Sequence, residues 1–393
     1  MRILHTADWH LGRTLEGRSR LAEQEAFIDE LAAIVSDRQI DLVLLAGDVY
    51  DSVNPPAAAE QLFYEALARL SDQGRRPVYV IAGNHDHPDR LAAAAPLADK
   101  LGVKLIGLPE PRVHRIDVAR TGESAVLFAL PYPSESRLKE LLTEEADESV
   151  LRAAYSDRVR HIAQEQARHF GPDTVNLLMS HLYVMGGKET ESERPIQVGG
   201  AYTVDASALS VGASYAALGH LHRPQQQTSG DCLLRYSGSP LAYSFSEAGQ
   251  AKSVTIIEIK PGGEPVLEEL YLSCGRPLVT WTARGGLAEV QRWLEEGKDA
   301  TAWIDLEVHL QEMISLEQIH RLRQEREGLI HIRPLYPELQ TEAETVLQVA
   351  KVPMDELFRR FYERQTGGAQ PEAELTRLFL ELLADEEEEP AAG

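Results

Sequence analysis

The sequence predicts an α/β protein: a sheet covered by helices, then a smaller unit of the same alternating kind and a helical end. Three observations carry this. In the first 85 residues, short apolar runs alternate with segments whose apolar residues recur at three- and four-residue steps. Polar clusters stand at the ends of the apolar runs. After "CGRP" (274–277) the alternation restarts on a smaller scale.

"RILHTA" (2–7) reads as a first strand, and Leu21, Ile28, Leu31 and Val35 then mark one face of a helix. "DLVLLA" (41–46) is a second buried strand. The next helix opens at Pro55 and Pro56, where a fixed φ and a missing N–H cost a helix nothing. It carries Leu62, Phe63, Leu67 and Leu70 on one face and stops at Gly74. "PVYVIA" (77–82) is the third strand. Such alternation puts functional residues on loops after the carboxyl ends of strands. Further strands are expected at 113–117, 124–130, 174–179, 214–218, 252–259 and 265–272, with a long helix around 148–169. Residues 1–275 read as one domain. In the next unit, 276–340, "LVTWTA", "LAEVQRWLEE", "AWIDLEVHL", "LEQIHRLRQE" and "GLIHIRPL" alternate strand and helix. The last segment, 341–393, reads as two amphipathic helices, "MDELFRRFYERQ" and "EAELTRLFLELL", before an acidic tail.

The length, 393 residues, fits two or three domains, and 43% hydrophobic with 26% charged residues is ordinary for a chain that buries a core. No apolar run approaches the roughly eighteen residues a membrane span needs. The chain enters its first strand at once, which leaves no room for a signal peptide. Cys232 and Cys274 match neither a disulfide framework nor a zinc spacing and read as reduced thiols of a cytoplasmic protein. The net charge of −23 argues against holding nucleic acid by the field of the whole molecule. A polyanionic substrate must then be held by local cations, of which bound metals are one source.

The chemistry lies at five strand ends: "ADWH" (Asp8, His10), "GDVYD" (Asp48, Asp51), "GNHD" (Asn84, His85), "MSH" (His181) and "GHLH" (His220, His222). Asp8 and His10 are two residues apart, as are His220 and His222, and in extended chain that spacing points both side chains one way. Mixed imidazole and carboxylate donors suit manganese, iron or zinc. His5, His87 and His114 read as ordinary strand or loop histidines, and Trp9 as packing beneath the site. Arg13, Arg18 and Arg20, on the loop after the first cluster, are expected to be either solvated or in contact with substrate phosphates.

This ordered series resembles the calcineurin-like metallophosphoesterase family and, within it, the nuclease subunits of bacterial complexes with a coiled-coil ATPase. The resemblance implies a central β-sandwich flanked by helices, a small α/β capping domain that contacts DNA, and a C-terminal helical pair. It implies two divalent ions, Mn2+ by preference. Asp8, His10, Asp48 and His222 would hold the first; Asp48, Asn84, His181 and His220 would hold the second. His85 would be the catalytic histidine, and Asp51 an acid that orients it. The implied activity is a 3′→5′ exonuclease on duplex DNA and an endonuclease on single strands and hairpins. The implied assembly is a homodimer within a heterotetramer, with the stripe Leu357, Phe358, Phe361 and Tyr362 docking on the ATPase subunit. A small-molecule phosphodiesterase or phosphatase would use the same residues, and a non-catalytic scaffold is the other alternative.

Overall fold

The computed structural model describes residues 1–138, 148–193 and 202–336, with the short pairs 358–359, 362–363, 370–371 and 375–376 beyond them. Most of the expected helical segment 341–393 therefore lies outside the described residues.

One sheet is built on four parallel strands, β1 (Arg2–Thr6), β2 (Leu42–Ala46), β3 (Val78–Ile81) and β4 (Val103–Ile106). The chain then forms a second sheet from β5 (Val113–Val118), β6 (Glu123–Leu130), β7 (Val175–His181), β8 (Tyr215–Gly219), β9 (Gln225–Ser229) and β10 (Cys232–Tyr236). It returns through β11 (Ser253–Glu258) and β12 (Val266–Tyr271) to the antiparallel edge of the first sheet. The strand orders are β12-β11-β1-β2-β3-β4 and β9-β10-β8-β7-β6-β5.

Alternation along each strand decides the layers. On β2, Leu42, Leu44 and Ala46 face the second sheet, where they share a core with Leu127, Met179 and Ala217. Val43 and Leu45 face the other way, onto Phe27, Ile28 and Leu31 of α1 (Leu21–Asp37) and Phe63 and Leu67 of α2 (Ala57–Leu70). The outer face of the second sheet, Phe128 and Leu178 among it, packs on Tyr155, Val159 and Ala163 of α3 (Glu148–Ala167). Strands buried on both faces read as unbroken apolar runs, which is why "DLVLLA" shows no polar alternation. The result is a β-sandwich flanked by helices.

Three strands of the two sheets escape the sequence pattern. β4, "VKLI", is only four residues long. β9, "QQQTS", is polar on both faces and attached through the main chain to β10, "CLLRY", whose short run ends in an arginine and a tyrosine.

The contact pattern divides the chain into a unit of Met1–Thr280 with Asp299–Asp305 and a unit of Trp281–Lys298 with the residues from Leu306 on. The smaller alternation is a three-stranded sheet, β13 (Leu278–Ala283), β14 (Trp303–His309) and β15 (Leu329–Leu335), in that order. Its helices are α4 (Gly286–Glu295) and α5 (Leu316–Glu325), the latter opened by a Ser315–Gln318 capping box. Among the described residues no helix is long and apolar enough to cross a membrane. Cys232 and Cys274 are both unpaired thiols.

Candidate metal centre

The carboxyl ends of β1, β2 and β3 from one sheet meet those of β7 and β8 from the other. The chain bends sharply there. Asp8, His10, Asp48 and His220 have φ of 56°, 44°, 48° and 110°, values that are uncommon outside glycine and tend to collect at functional sites. Main-chain bonds fix the first loop on the second: Asp8 N donates to Gly47 O and His10 N to Asp48 O, both at 3.0 Å. Two glycines permit the approach. A Cβ on Gly83 would stand 2.1 Å from Asp48 Oδ1, and one on Gly219, the last residue of β8, 1.8 Å from the carbonyl of Ala46, the last of β2.

These bends gather all seven residues read as ligands. Asp8, His10 and His222 offer atoms within 4.8 Å of one another, and so do Asp8, Asp48 and His181. Asp48 Oδ2 lies between the two sides, 3.6 Å from His10 Nε2 and 3.5 Å from His181 Nε2. Asn84 Oδ1 is 2.8 Å from His181 Nε2. The His220 N–H donates to Asp8 Oδ1 at 2.9 Å, and its ring stands 5.5 Å from that of His181. Both carboxylates and the four histidines are buried.

The donor set fits a cation. Burial pushes His10, His181 and His222 down, and His220 down to about 3, so the rings are neutral and each keeps one lone-pair nitrogen. His181 uses Nδ1–H on the Ala46 carbonyl at 2.9 Å, which leaves Nε2 as an acceptor that faces the acceptor Asn84 Oδ1. Among the described residues, His220 Nε2 meets no hydrogen-bond partner. Burial, then the neighbouring Asp48 carboxylate, pushes Asp8 up. Opposed acceptors and crowded, desolvated carboxylates are costly unless positive charge sits among them.

His85 donates its main-chain N–H to Asp48 Oδ1 at 2.9 Å. Its ring is aimed by Asp51, but through a different atom from the one expected. The His85 Nδ1–H donates to the main-chain carbonyl of Asp51 at 2.7 Å, while the Asp51 carboxylate stands 3.5 Å from both His10 Nδ1 and Arg13 Nη1.

Of the three arginines, Arg13 lies beside the cluster, 4.9 Å over the Tyr243 ring, and donates to Ser192 O. Arg18 is exposed on a two-residue hairpin strand. Arg20 corrects the expectation. It is buried, paired through Nε and Nη2 with Glu23, and its Nη1 donates to Ala242 O, so its donors are turned inward, away from any phosphate. Trp9 packs edge-on against Phe27 and Phe63. His5 bonds Tyr215, His87 caps a short helix, and His114 meets Tyr79 edge-on.

Several supporting residues went unread in the sequence. Ser192 Oγ meets His222 Nδ1 at 2.5 Å, and Glu193 accepts from the His222 N–H at 2.8 Å. Lys252, itself paired with buried Glu247, holds the His222 carbonyl. Tyr243 stacks edge-on against His10 and His222 and donates to the Trp9 carbonyl. Asp86 accepts from three main-chain N–H groups. Only Asp86 left a signal, by standing in "GNHD" next to two of the cluster.

Residues 1–224 match the family model described as calcineurin-like phosphoesterase, and residues 274–366 match one described as type 5 capsule protein repressor C-terminal domain. The Bacillus subtilis protein named as the SbcD subunit of the nuclease SbcCD is 56% identical over 391 residues, covering 100% of both chains. The Rhodobacter capsulatus protein of the same name is 37% identical over 279 residues, 67% of this chain and 68% of that one. Among solved structures, GAP50, the anchor in the inner membrane complex of Plasmodium, aligns over 70% of this chain and 89% of its own at 11% identity, with a TM-score of 0.39.

Proposed function

We propose the reaction from one premise: the chain belongs to the calcineurin-like phosphoesterase family, in the branch of the SbcD nucleases. It is a metal-dependent nuclease that hydrolyses the phosphodiester bonds of DNA. The observation that carries this is the buried cluster in which a His181 lone pair faces Asn84 Oδ1 with two carboxylates alongside.

Asp8, His10, Asp48 and His222 would hold one divalent ion, and Asp48, Asn84, His181 and His220 a second. The place of Asp48 Oδ2 between His10 and His181 supports its shared role. When bound, two such ions supply a water ionised at neutral pH and neutralise charge on the phosphoryl oxygens of an in-line displacement. The remaining tasks fall to the chain. Asp51 O fixes the His85 ring, so that Nε2 points into the cluster, 4.0 Å from Asp48 Oδ2. From there His85 stabilises the charge of the five-coordinate phosphorus or passes a proton to the leaving 3′ oxygen. Arg13 and Arg18 would hold flanking phosphates, contacts that position the strand without reading its sequence.

Manganese as the ion, 3′→5′ polarity on duplex DNA, endonuclease action on single strands and hairpins, and service in DNA repair, recombination and replication follow from the branch. So do a cytoplasmic location, a DNA-contacting role for the smaller unit, and a homodimer within a heterotetramer whose SbcC-type coiled-coil ATPase is bound by the C-terminal segment.

The test uses the purified chain with end-labelled duplex DNA and with a p-nitrophenyl phosphodiester, each with Mn2+ and with chelator. Chelator-sensitive degradation of DNA is expected. Hydrolysis confined to the small ester would replace the nuclease by a small-molecule phosphodiesterase. Inactivity on both, with metal bound and partner added, would leave a scaffold.

A further inference from the structure

The loops after β2 and β3 carry four residues of the proposed site: Asp48 and Asp51 on one, Asn84 and His85 on the other. Strand pairing does not hold them together, because the register of β2 and β3 ends at Ala46 and Ile81. Besides the two bonds His85 makes to Asp48 and Asp51, Asp86 does. Its buried carboxylate accepts from the N–H groups of Val49 at 3.1 Å and Tyr50 at 3.0 Å on the first loop, and from Gly83 at 2.8 Å on its own. The other side of the same turn is gripped by Arg137, which follows β6 of the second sheet. Its Nη1 donates to Gly83 O at 2.8 Å and its Nη2 to Asp86 O at 2.7 Å, with the guanidinium 5.2 Å over the Tyr132 ring. Three strand-end loops from two sheets thus meet on one residue, and its carboxylate bonds are all to main chain.

We propose that Asp86, backed by Arg137, is a positioning residue that sets the separation between Asp48 and the Asn84–His85 pair. It thereby governs affinity for the ion shared by Asp48 and Asn84; this rests on the site reading given above. A carboxylate can accept all three N–H groups, since each oxygen offers two lone pairs. An amide of the same shape cannot, because its NH2 end sets donor against donor. Partners that orient ligands from outside the metal's own shell typically change affinity by about 10–100-fold when replaced.

The experiment compares the full chain with Asp86→Asn, Arg137→Lys and a control, Asp41→Asn. Asp41 is another buried carboxylate held by a main-chain N–H and an arginine, at the opposite end of β2. Mn2+ affinity is measured by calorimetric titration, with far-ultraviolet circular dichroism, melting without metal, and cleavage rates across Mn2+ concentration. Asp86→Asn and Arg137→Lys should keep the parent spectrum and lose about 10–100-fold in Mn2+ affinity. Their cleavage should recover at high Mn2+, with KM for DNA unchanged. Asp41→Asn should melt earlier yet bind Mn2+ like the parent. Parent affinity in both site variants would overturn the proposal, as would an equal loss in Asp41→Asn, which would mark a general stability effect. If Asp86→Asn fails to fold, Arg137→Lys decides alone. A parent chain that binds no Mn2+ at all would instead bring down the reading of the site, and this inference with it.

Discussion

His85 is the residue whose side chain can be removed while its scaffold stays. Its main-chain N–H, not its ring, bonds Asp48, so His85→Ala should keep both ions and lose cleavage by about 10²–10⁴-fold. Metal content by elemental analysis and single-turnover rates check this, and near-parent rates would refute the proton-donor role. A second residue-scale expectation concerns pH. Burial, helped by Arg235, pushes His5 down to about 3, against an ordinary value of 6.5. Below about pH 6.5 the unfolded chain takes a proton that the folded one refuses, so stability is full above that pH and falls as pH drops toward 3. Urea unfolding of His5→Asn between pH 7 and 4 should show a slope shallower by about one proton; unchanged slopes would exclude His5 as the source. The titratable and ligating residues were legible because their chemistry is unusual at strand ends. Asp86 could be seen in "GNHD", but its role, like Glu193 and Lys252 altogether, could not, because each acts largely on main-chain atoms that any residue could supply. The Asp51 bond shows the same limit: the residue could be named, but that its carbonyl rather than its carboxylate does the aiming depends on backbone geometry.

At the scale of elements, the tightest constraint lies where β8 ends against β2. The Cβ of Gly219→Ala would meet the Ala46 carbonyl at 1.8 Å and His181 Nδ1 at 2.9 Å. The strand end must move, and His220 moves with it. The variant should lose about 1–3 kcal/mol in denaturant unfolding together with measurable Mn2+ binding; parent-like values for both would mean that the sheets yield there without cost. The long buried strands were readable because burial on both faces enforces unbroken apolar runs. β9 was not, since an all-polar edge strand is recognisable only through its pairing with β10. The helices of the smaller unit were readable from their apolar spacing, and Ser315 and Gln318 mark the start of α5 in the sequence itself.

For the whole molecule, caging carboxylates without a cation is a cost that ion binding removes. Added Mn2+ should therefore raise the melting temperature and chelator should lower it; one ion at a hundred times its Kd contributes about 2.7 kcal/mol. A melting curve indifferent to Mn2+ would contradict the caged arrangement. The charge of −23 belongs to this scale as well. With Arg13 and Arg18 as the cations proposed to meet phosphates, the chain alone should show a shallow dependence of DNA affinity on salt, and adding the proposed coiled-coil partner should steepen it as more phosphates are neutralised. Equal slopes with and without partner would place the DNA-binding surface on this chain. The net charge could be counted from the sequence, but which cations stay available could not. Burial and the pairing with Glu23 removed Arg20 from that set.

The proposed ligands are divided between the two sheets, and among the described residues the chain crosses from one sheet to the other once before the last of them, between β4 and β5. Severing it at that crossing, near residue 109, would give two pieces: one bearing Asp8, His10, Asp48 and Asn84, the other His181, His220 and His222. Neither half-cage should retain an ion alone. Mixed, the pieces should recover uptake only where the sandwich has reassembled, so that ion capture becomes a direct readout of complementation.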